Sequence, residues 1–160
     1  MGVIRCFSSL NRRIFMVSIT VAYDGDLHCD ATHGPSGDVL ATDAPTDNHG
    51  RGAAFSPTDL VATGLATCVL TIIGIQARTH DLDVSGMTAS VDKHMTEDGP
   101  RRIARLVTTV RIPRTFDDAT QRRLEAAGRG CPVHRSLHPD VDAPIHFEWG
   151  ASAQKEASGV

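Results

Sequence analysis

The sequence has few aromatic residues and no strong charge of either sign. Only 4% of its 160 residues are aromatic, too few for the rings on which nucleic-acid bases stack. The formal net charge is −3, and the basic residues are scattered, with short pairs only, such as Arg12-Arg13. A nucleic-acid-binding face needs basic residues gathered on one surface. We therefore expect no nucleic-acid partner.

Cysteine and long charge-free segments are also scarce. Four cysteines in 160 residues do not make a disulfide framework. The most apolar segment, Leu60–Ile75, covers about four turns of helix, which predicts that it is too short to span a bilayer. No secretory signal pattern is present, so we expect a cytoplasmic protein without a membrane partner, in a compartment that keeps thiols reduced.

The two ends of the chain differ in composition from its middle. Residues 1–15 hold several arginines, no acid and scattered apolar residues. They are predicted to be an amino-terminal extension, either disordered or absent if translation begins at Met16. Residues 16–150 are predicted to form one domain, and residues 151–160 a polar tail.

Periodicity predicts three strands followed by a long helix. Apolar and small polar residues alternate over Val17–Tyr23, and Leu27–Thr32 and Val39–Thr42 give the next two strands after turn residues. Ser56 then offers a helix N-cap, with proline at the first helical position and an acidic residue three positions after the cap. The apolar helix that follows is expected to be central and buried, with a sheet on one side and a second subunit as candidate cover for the other.

The second half of the chain predicts two strands, two helices and a last strand. The strands are expected over Met87–Val91 and Ala104–Ile112, the helices over Asp117–Ala127 and from Cys131 onward, and the final strand over Ile145–Trp149. This order indicates an α+β fold with largely antiparallel sheets.

Two cysteines stand in unlike but complementary settings. Cys68 lies within the apolar helix, where burial disfavours the thiolate unless a cation such as Arg51 or Arg135 is near. Cys131 is at the predicted start of a helix, a position that favours the thiolate. If the fold brings them together, they form a dithiol that can reduce a substrate and close as a disulfide. Separately, Cys68 reads as a small buried apolar residue and Cys131 as an incidental cap.

Other clusters allow weaker hypotheses. Cys131-x-x-His134 could join other histidines or a cysteine at a zinc site (His28, Cys29, His33 and His138), although such spacings are common by chance. Asp59 could act as a catalytic carboxylate or only cap its helix. No phosphate-binding loop is present.

Four segments together resemble the OsmC/Ohr family of osmotically inducible and organic hydroperoxide resistance proteins. They are Asp47–Gly52, Phe55–Leu60, Ala66–Cys68 and Cys131–Leu137, and the resemblance extends over about Val17–Trp149. Its most specific part is Ser-Pro before a small-residue helix with one cysteine, followed much later by Cys-Pro. The likeness is greater to the general OsmC-like branch.

The resemblance implies an intertwined homodimer with central helices between curved sheets and two sites at the subunit interface. It also implies thiol-dependent reduction of organic hydroperoxides without a cofactor, with Cys68 as the peroxidatic and Cys131 as the resolving thiol. A dithiol reductant, such as a lipoyl protein or a thioredoxin-like partner, would restore the pair.

The sequence departs from the hydroperoxide reductases at two positions. Where those have Asn-Pro-Glu, this chain has Ser56-Pro57-Thr58. Asp59 is therefore the candidate carboxylate, although it projects about 100° around the helix from Thr58. Arg51 is the nearest candidate for the catalytic arginine. The alternative function is a non-enzymatic OsmC-like protein that binds a small hydrophobic ligand or senses redox state.

Overall fold

The computed structural model describes residues 16–150, which divide into two compact units between Ala54 and Phe55. The predicted extension over residues 1–15 and the predicted tail over residues 151–160 lie outside the described residues. The single-domain boundary stays a prediction.

The amino-terminal unit is an antiparallel sheet of three strands in chain order. They are β1 (Ile19–Gly25), β2 (His28–His33) and β3 (Val39–Asp43). In the register, Val21 of β1 lies opposite Ala31, which lies opposite Leu40 of β3. Residues two apart on β1 share this face, so one side of the sheet carries a row of apolar side chains. Val21 remains 64% exposed in the single chain.

The loop that follows β3 is held by hydrogen bonds and close packing. The Ala53 N–H donates to Asp43 Oδ2 at 2.9 Å, which closes the loop at its base. A Cβ on Gly50 would lie 1.7 Å from the carbonyl oxygen of Ala44, so only glycine fits there. A short 3-10 turn over Thr46–Asn48 lies inside this loop. These contacts therefore hold the loop in one shape.

The carboxy-terminal unit contains one long helix, a second three-stranded sheet and two shorter helices. The elements are α1 (Pro57–Thr79), β4 (Thr88–Met95), β5 (Ile103–Ile112), α2 (Asp118–Arg129), α3 (Pro132–Ser136) and β6 (Ile145–Trp149). Strands β4 and β5 pair antiparallel, whereas β5 and β6 pair parallel. The parallel pair needs a long crossover, which α2 and α3 supply. The predicted α+β class and element order are confirmed.

The core of this unit lies between α1, the sheet and α2. Leu65, Val69 and Ile73 recur every four residues along α1 and are fully buried. They belong to one cluster with Leu106 of β5 and Leu124 of α2. Helix α1 packs on α2, β4, β5 and α3, so the predicted cover by a sheet is confirmed.

The opposite face of α1 is uncovered in the single chain. Val61 is 38% exposed and Ile75 is 58% exposed. By length and apolar composition alone, the 23-residue helix could cross a membrane, so the sequence estimate that it is too short was wrong. That estimate counted only the charge-free run, whereas the helix begins before Asp59 and ends after Arg78. Core helices of folded domains meet the same criterion, and α1 is the core helix of its unit.

Candidate thiol site

Helix α1 begins with a complete capping box. The Asp59 N–H donates to Ser56 Oγ at 3.2 Å, and the Ser56 N–H donates to Asp59 Oδ2 at 2.8 Å. Pro57 occupies the first turn, where the missing N–H has no intrahelical partner to lose. The cap predicted from the sequence is therefore present, and it fixes where α1 starts.

Cys68 lies halfway along α1 and is partly exposed. It follows Asp59 by nine positions, which places it about 13 Å further along the axis and roughly half a turn around it. Within one chain, Asp59 therefore does not reach the Cys68 sulfur. Its predicted catalytic role stays a prediction, and in the described chain Asp59 caps the helix.

Cys131 is the N-cap of α3 and is fully buried. Its Sγ accepts a hydrogen bond from the His134 N–H at 3.3 Å. Pro132 is the first helical residue, as the Cys-Pro pair predicts. The local cap therefore orients the Cys131 sulfur toward the first turn of α3.

Cys68 and Cys131 are brought together by the packing of α1 on α3, and Cys68 packs against the core cluster that contains Cys131. Burial raises the pKa of the Cys131 thiol, and the neighbouring Cys68 raises it further, although the His134 N–H acts in the opposite direction. The expectation that the helix start favours a thiolate at Cys131 is therefore wrong. Desolvation outweighs the effect of a helix that is only five residues long. Cys131 is the buried, protonated member of the pair, and Cys68 is the accessible one.

This arrangement is a dithiol built from two separate helices. Both cysteines are free, and neither forms a disulfide with another described residue. Because Cys68 packs against the cluster that contains Cys131, the two thiols are neighbours in the folded chain. Oxidation of one thiol can therefore be followed by attack from the other.

His134 and Arg135, the basic residues that follow Cys131, differ in their surroundings. His134 Nε2 lies 2.9 Å from the carbonyl oxygen of Ala143, and since a carbonyl only accepts, that nitrogen carries the hydrogen. The Arg135 guanidinium lies at the end of α2, where a Cβ on Gly130 would be 3.5 Å from one of its nitrogens. Its assignment as the cation beside Cys68 stays a prediction.

Arg51 lies exposed in the loop of the amino-terminal unit. It stands between His49 and Gly52, both of which have positive φ values, of 66° and 63°. Among residues 16–150 its guanidinium has no hydrogen bond or ion pair. Its assignment to the thiol site stays a prediction.

Sequence reasoning missed Lys93. This residue lies on β4, and its Nζ contacts Asp59 Oδ1 at 2.5 Å, Thr58 Oγ1 at 2.8 Å and Ser56 Oγ at 3.4 Å. Its side chain is only 18% exposed. The signal was the alternation on β4, which places Lys93 on the same partly buried face as Ala89 and Val91.

Lys93 acts to lower the pKa of the Asp59 carboxyl group. Burial acts to raise the pKa of Asp59, but the hydrogen bonds from Lys93 and Ser56 outweigh it and hold the pKa below its ordinary value. Asp59 is therefore a carboxylate engaged in a cap and an ion pair. The Lys93 ammonium donates to all three acceptors. The cluster therefore joins β4 to the start of α1 through hydrogen bonds.

The described part of the chain gives little support to the predicted zinc site. Within residues 16–150 no group of three or more histidine, cysteine or acidic side chains has the arrangement of a metal site. His28, Cys29 and His33 lie on β2, whereas Cys131 and His134 belong to α3.

The chain is similar to a described protein family and to several solved structures. A family model described as OsmC-like protein matches residues 49–145. A crystal structure from Psychrobacter arcticus, assigned provisionally to osmotic stress and detoxification responses, is 44% identical, with a TM-score of 0.79 over 84% of this chain and 97% of that one. We found no match among curated protein sequences.

Two further solved structures share the fold at low identity. The organic hydroperoxide resistance protein OsmC of Legionella pneumophila is 17% identical, with a TM-score of 0.66 over 84% of this chain and 98% of that chain. An organic hydroperoxide resistance protein of Elizabethkingia anophelis is 13% identical, with a TM-score of 0.70 over 86% and 99%. At such identities the likeness concerns the fold alone.

Proposed function

The chain belongs to the OsmC-like protein family, and on that basis we propose that it is a thiol-dependent peroxidase that reduces organic hydroperoxides through Cys68 and Cys131. The observation that carries the proposal is the packing of Cys68 against the core cluster that contains Cys131, where α1 meets α3. Sequence positions 63 residues apart supply one partly exposed and one fully buried cysteine to this cluster. That difference in exposure suits an attacking and a resolving thiol.

The proposed cycle begins at the accessible sulfur. The Cys68 thiolate attacks the terminal oxygen of the hydroperoxide, the O–O bond breaks, and the alcohol leaves after taking up a proton, so that Cys68 becomes a sulfenic acid. The Cys131 sulfur then attacks the Cys68 sulfur, and the hydroxyl group leaves as water with the Cys131 proton. The products are one alcohol, one water and one Cys68–Cys131 disulfide.

An external dithiol would close the cycle. A lipoyl protein or a thioredoxin-like partner would attack the disulfide at the more exposed Cys68 sulfur and release Cys131. The partner's second thiol would then release Cys68, leaving both enzyme thiols reduced and the partner oxidised. We place this cycle in the cytoplasm, where such reductants keep thiols reduced.

Two further residues enter the proposal with different roles. Arg51 is proposed as the cation that favours the Cys68 thiolate, since it is exposed and its guanidinium has no partner among the described residues. Asp59 is proposed to act on the start of α1 and not on the substrate. Its carboxylate is already engaged with Ser56 and Lys93.

We propose a homodimer as the working form. Two apolar surfaces support it: the sheet face with Val21 in the amino-terminal unit, and the face of α1 with Val61 and Ile75 in the carboxy-terminal unit. Exposed contiguous apolar faces of this kind are typical of interaction surfaces. A second copy would also supply the cover that one chain does not give to α1.

The test follows the thiols after addition of one equivalent of cumene hydroperoxide. Wild-type protein is expected to lose two hydrogen atoms in its intact mass, and peptide mapping is expected to locate a Cys68–Cys131 link. Cys68→Ser is expected to consume no hydroperoxide with dihydrolipoamide as reductant. Unchanged consumption by Cys68→Ser would remove Cys68 as the nucleophile.

The second candidate is a non-enzymatic protein that binds a small hydrophobic ligand or senses redox state. The exposed apolar residues of α1 on either side of Cys68 favour it, together with threonine at position 58, where the hydroperoxide reductases have a carboxylate. In that case the same experiment would leave the mass unchanged, or would form the disulfide once without turnover. Either result selects this function over the peroxidase.

A further inference from the structure

The two sulfur atoms of the thiol pair are carried by separate helices, and each helix is tied to the same sheet by one side chain. Lys93 of β4 holds the start of α1, which carries Cys68. His134 of α3 is bonded through its ring to Ala143, two residues before β6. Strands β4, β5 and β6 form one sheet.

We infer that Lys93 and His134 are positioning residues, which hold Cys68 and Cys131 at bonding distance by fixing α1 and α3 to this common sheet. The inference rests on the proposed pairing of the two cysteines, but not on the identity of the oxidant. Neither residue is placed in contact with a substrate. Each acts through the helix that it holds.

The argument for Lys93 starts from the packing of α1. The buried face of the helix is apolar, and apolar contacts have little directional preference, so they resist a small slide or rotation weakly. The three polar contacts of Lys93 are directional and fix the first turn. Because a helix is stiff, a shift at its start is passed on to Cys68 with almost the same magnitude.

The argument for His134 starts from the shortness of α3. Five residues make little more than one turn, which is not stable by itself. His134 contributes two bonds: its N–H orients the Cys131 sulfur, and its ring binds Ala143. The ring bond therefore determines where the short helix lies, while the N–H determines where the sulfur points.

This positioning is measured by the effective concentration of one thiol toward the other, which is the equilibrium constant for exchange between the protein thiols and glutathione. All variants are made with Cys6 and Cys29 replaced by serine, so that only Cys68 and Cys131 remain. The protein is equilibrated in glutathione buffers, where protein dithiol and oxidised glutathione give protein disulfide and two reduced glutathiones. No hydroperoxide is needed.

The expected result is a loss of about tenfold in effective concentration for Lys93→Met and for His134→Leu, since misplacement of reacting atoms by an ångström has large effects. Lys93→Arg and His134→Gln retain a donor at each position and are expected to lie within about threefold of the wild-type value. Arg111→Met removes the ion pair of Arg111 with Glu148 between β5 and β6 and is expected to leave the value unchanged.

The comparison is made well below the thermal midpoint of every variant. A side chain that only stabilises the fold would shift that midpoint without changing the thiol equilibrium of the folded protein. Equal effective concentrations in wild type, Lys93→Met and His134→Leu would overturn the inference. If Lys93→Met does not fold, the same comparison of His134→Leu with His134→Gln decides it. Absence of any disulfide in the wild type would instead defeat the proposed catalytic pair.

Discussion

The Cys131 sulfur accepts a hydrogen bond from the His134 N–H, whereas its neighbour Cys68, packed against the same core cluster, is partly exposed. The pair is therefore asymmetric before any reaction takes place. Burial and the neighbouring thiol raise the pKa of Cys131, which favours its protonated form. In the proposed cycle, that proton would leave with the hydroxyl group when the disulfide forms.

Replacement of Cys131 is expected to separate the reaction of Cys68 with the hydroperoxide from the later formation of the disulfide. Cys131→Ser is expected to consume one equivalent of cumene hydroperoxide and then stop, because the sulfenic acid at Cys68 has no resolving partner. Stopped reactions trapped with dimedone should show one adduct at Cys68 by mass spectrometry. Cys29→Ser is the matched control, since Cys29 lies on β2 and is expected to leave turnover unchanged. Full turnover by Cys131→Ser would show that Cys131 does not resolve the intermediate.

The exposed face of the first sheet predicts the oligomeric state. Val21→Glu introduces a charge into the apolar row of β1, and we expect a dimer of the wild type to become largely monomeric at micromolar concentration. Thr20→Glu is the control, because Thr20 is also exposed but points to the opposite side of the strand. Sedimentation velocity measures both. Equal dimer fractions for the two variants would exclude this face from the interface.

A buried hydroxyl on β5 predicts a stabilising substitution. Thr108 is fully buried, and its Oγ1 has no hydrogen-bond partner within residues 16–150. Thr108→Val removes an unsatisfied polar atom and keeps the branched shape, so the free energy of unfolding should rise by about 1 kcal/mol. Urea titration followed by circular dichroism measures it. Thr109→Val, one residue along and on the other face of β5, should change stability by less than about 0.5 kcal/mol. A loss of stability in Thr108→Val would show that the hydroxyl is satisfied.

Much of the fold follows from local sequence patterns, but pairing across the chain does not. Alternation and caps predicted each strand and the ends of α1, because those signals depend on neighbouring residues. The parallel placement of β6 beside β5 depends on how the crossover through α2 and α3 packs, which no local pattern records. The prediction of largely antiparallel sheets is confirmed, and the β5–β6 pair is the parallel exception.

The candidate site also combines features that local sequence predicts with features that depend on distant residues. The Cys-Pro cap of Cys131 and the Ser-Pro cap before Cys68 were readable in the sequence. The direction of the Cys131 pKa was not, because it depends on burial by residues far along the chain. Lys93 was also missed, since its partner Asp59 lies 34 positions earlier and a lysine on a strand ordinarily reads as exposed. Contacts between residues far apart in the chain determine both the direction of the Cys131 pKa shift and the ion pair of Lys93.

The ion pair of Lys93 with Asp59 predicts how stability depends on pH. The folded pKa of Asp59 is below its ordinary value, because the hydrogen bonds from Lys93 and Ser56 outweigh the effect of burial. Its contribution to stability is therefore present above the unfolded pKa of about 3.9 and is lost as the pH falls through the lowered folded pKa. Asp59→Asn should be less stable than wild type by a constant amount, about 1 kcal/mol for the lost cap and ion pair, between about pH 5 and 8.

Below about pH 4 the difference between wild type and Asp59→Asn should shrink, because the wild-type carboxyl becomes protonated and loses its advantage. The measurement is urea unfolding at a series of pH values. Repeating it in a Lys93→Met background supplies the control: without the ammonium, the folded pKa of Asp59 moves up toward its ordinary value, and the dependence of the difference on pH becomes weaker. An identical pH dependence with and without Lys93 would mean that the Ser56 N–H alone holds the carboxylate, and that the lysine acts on α1 through its hydroxyl contacts.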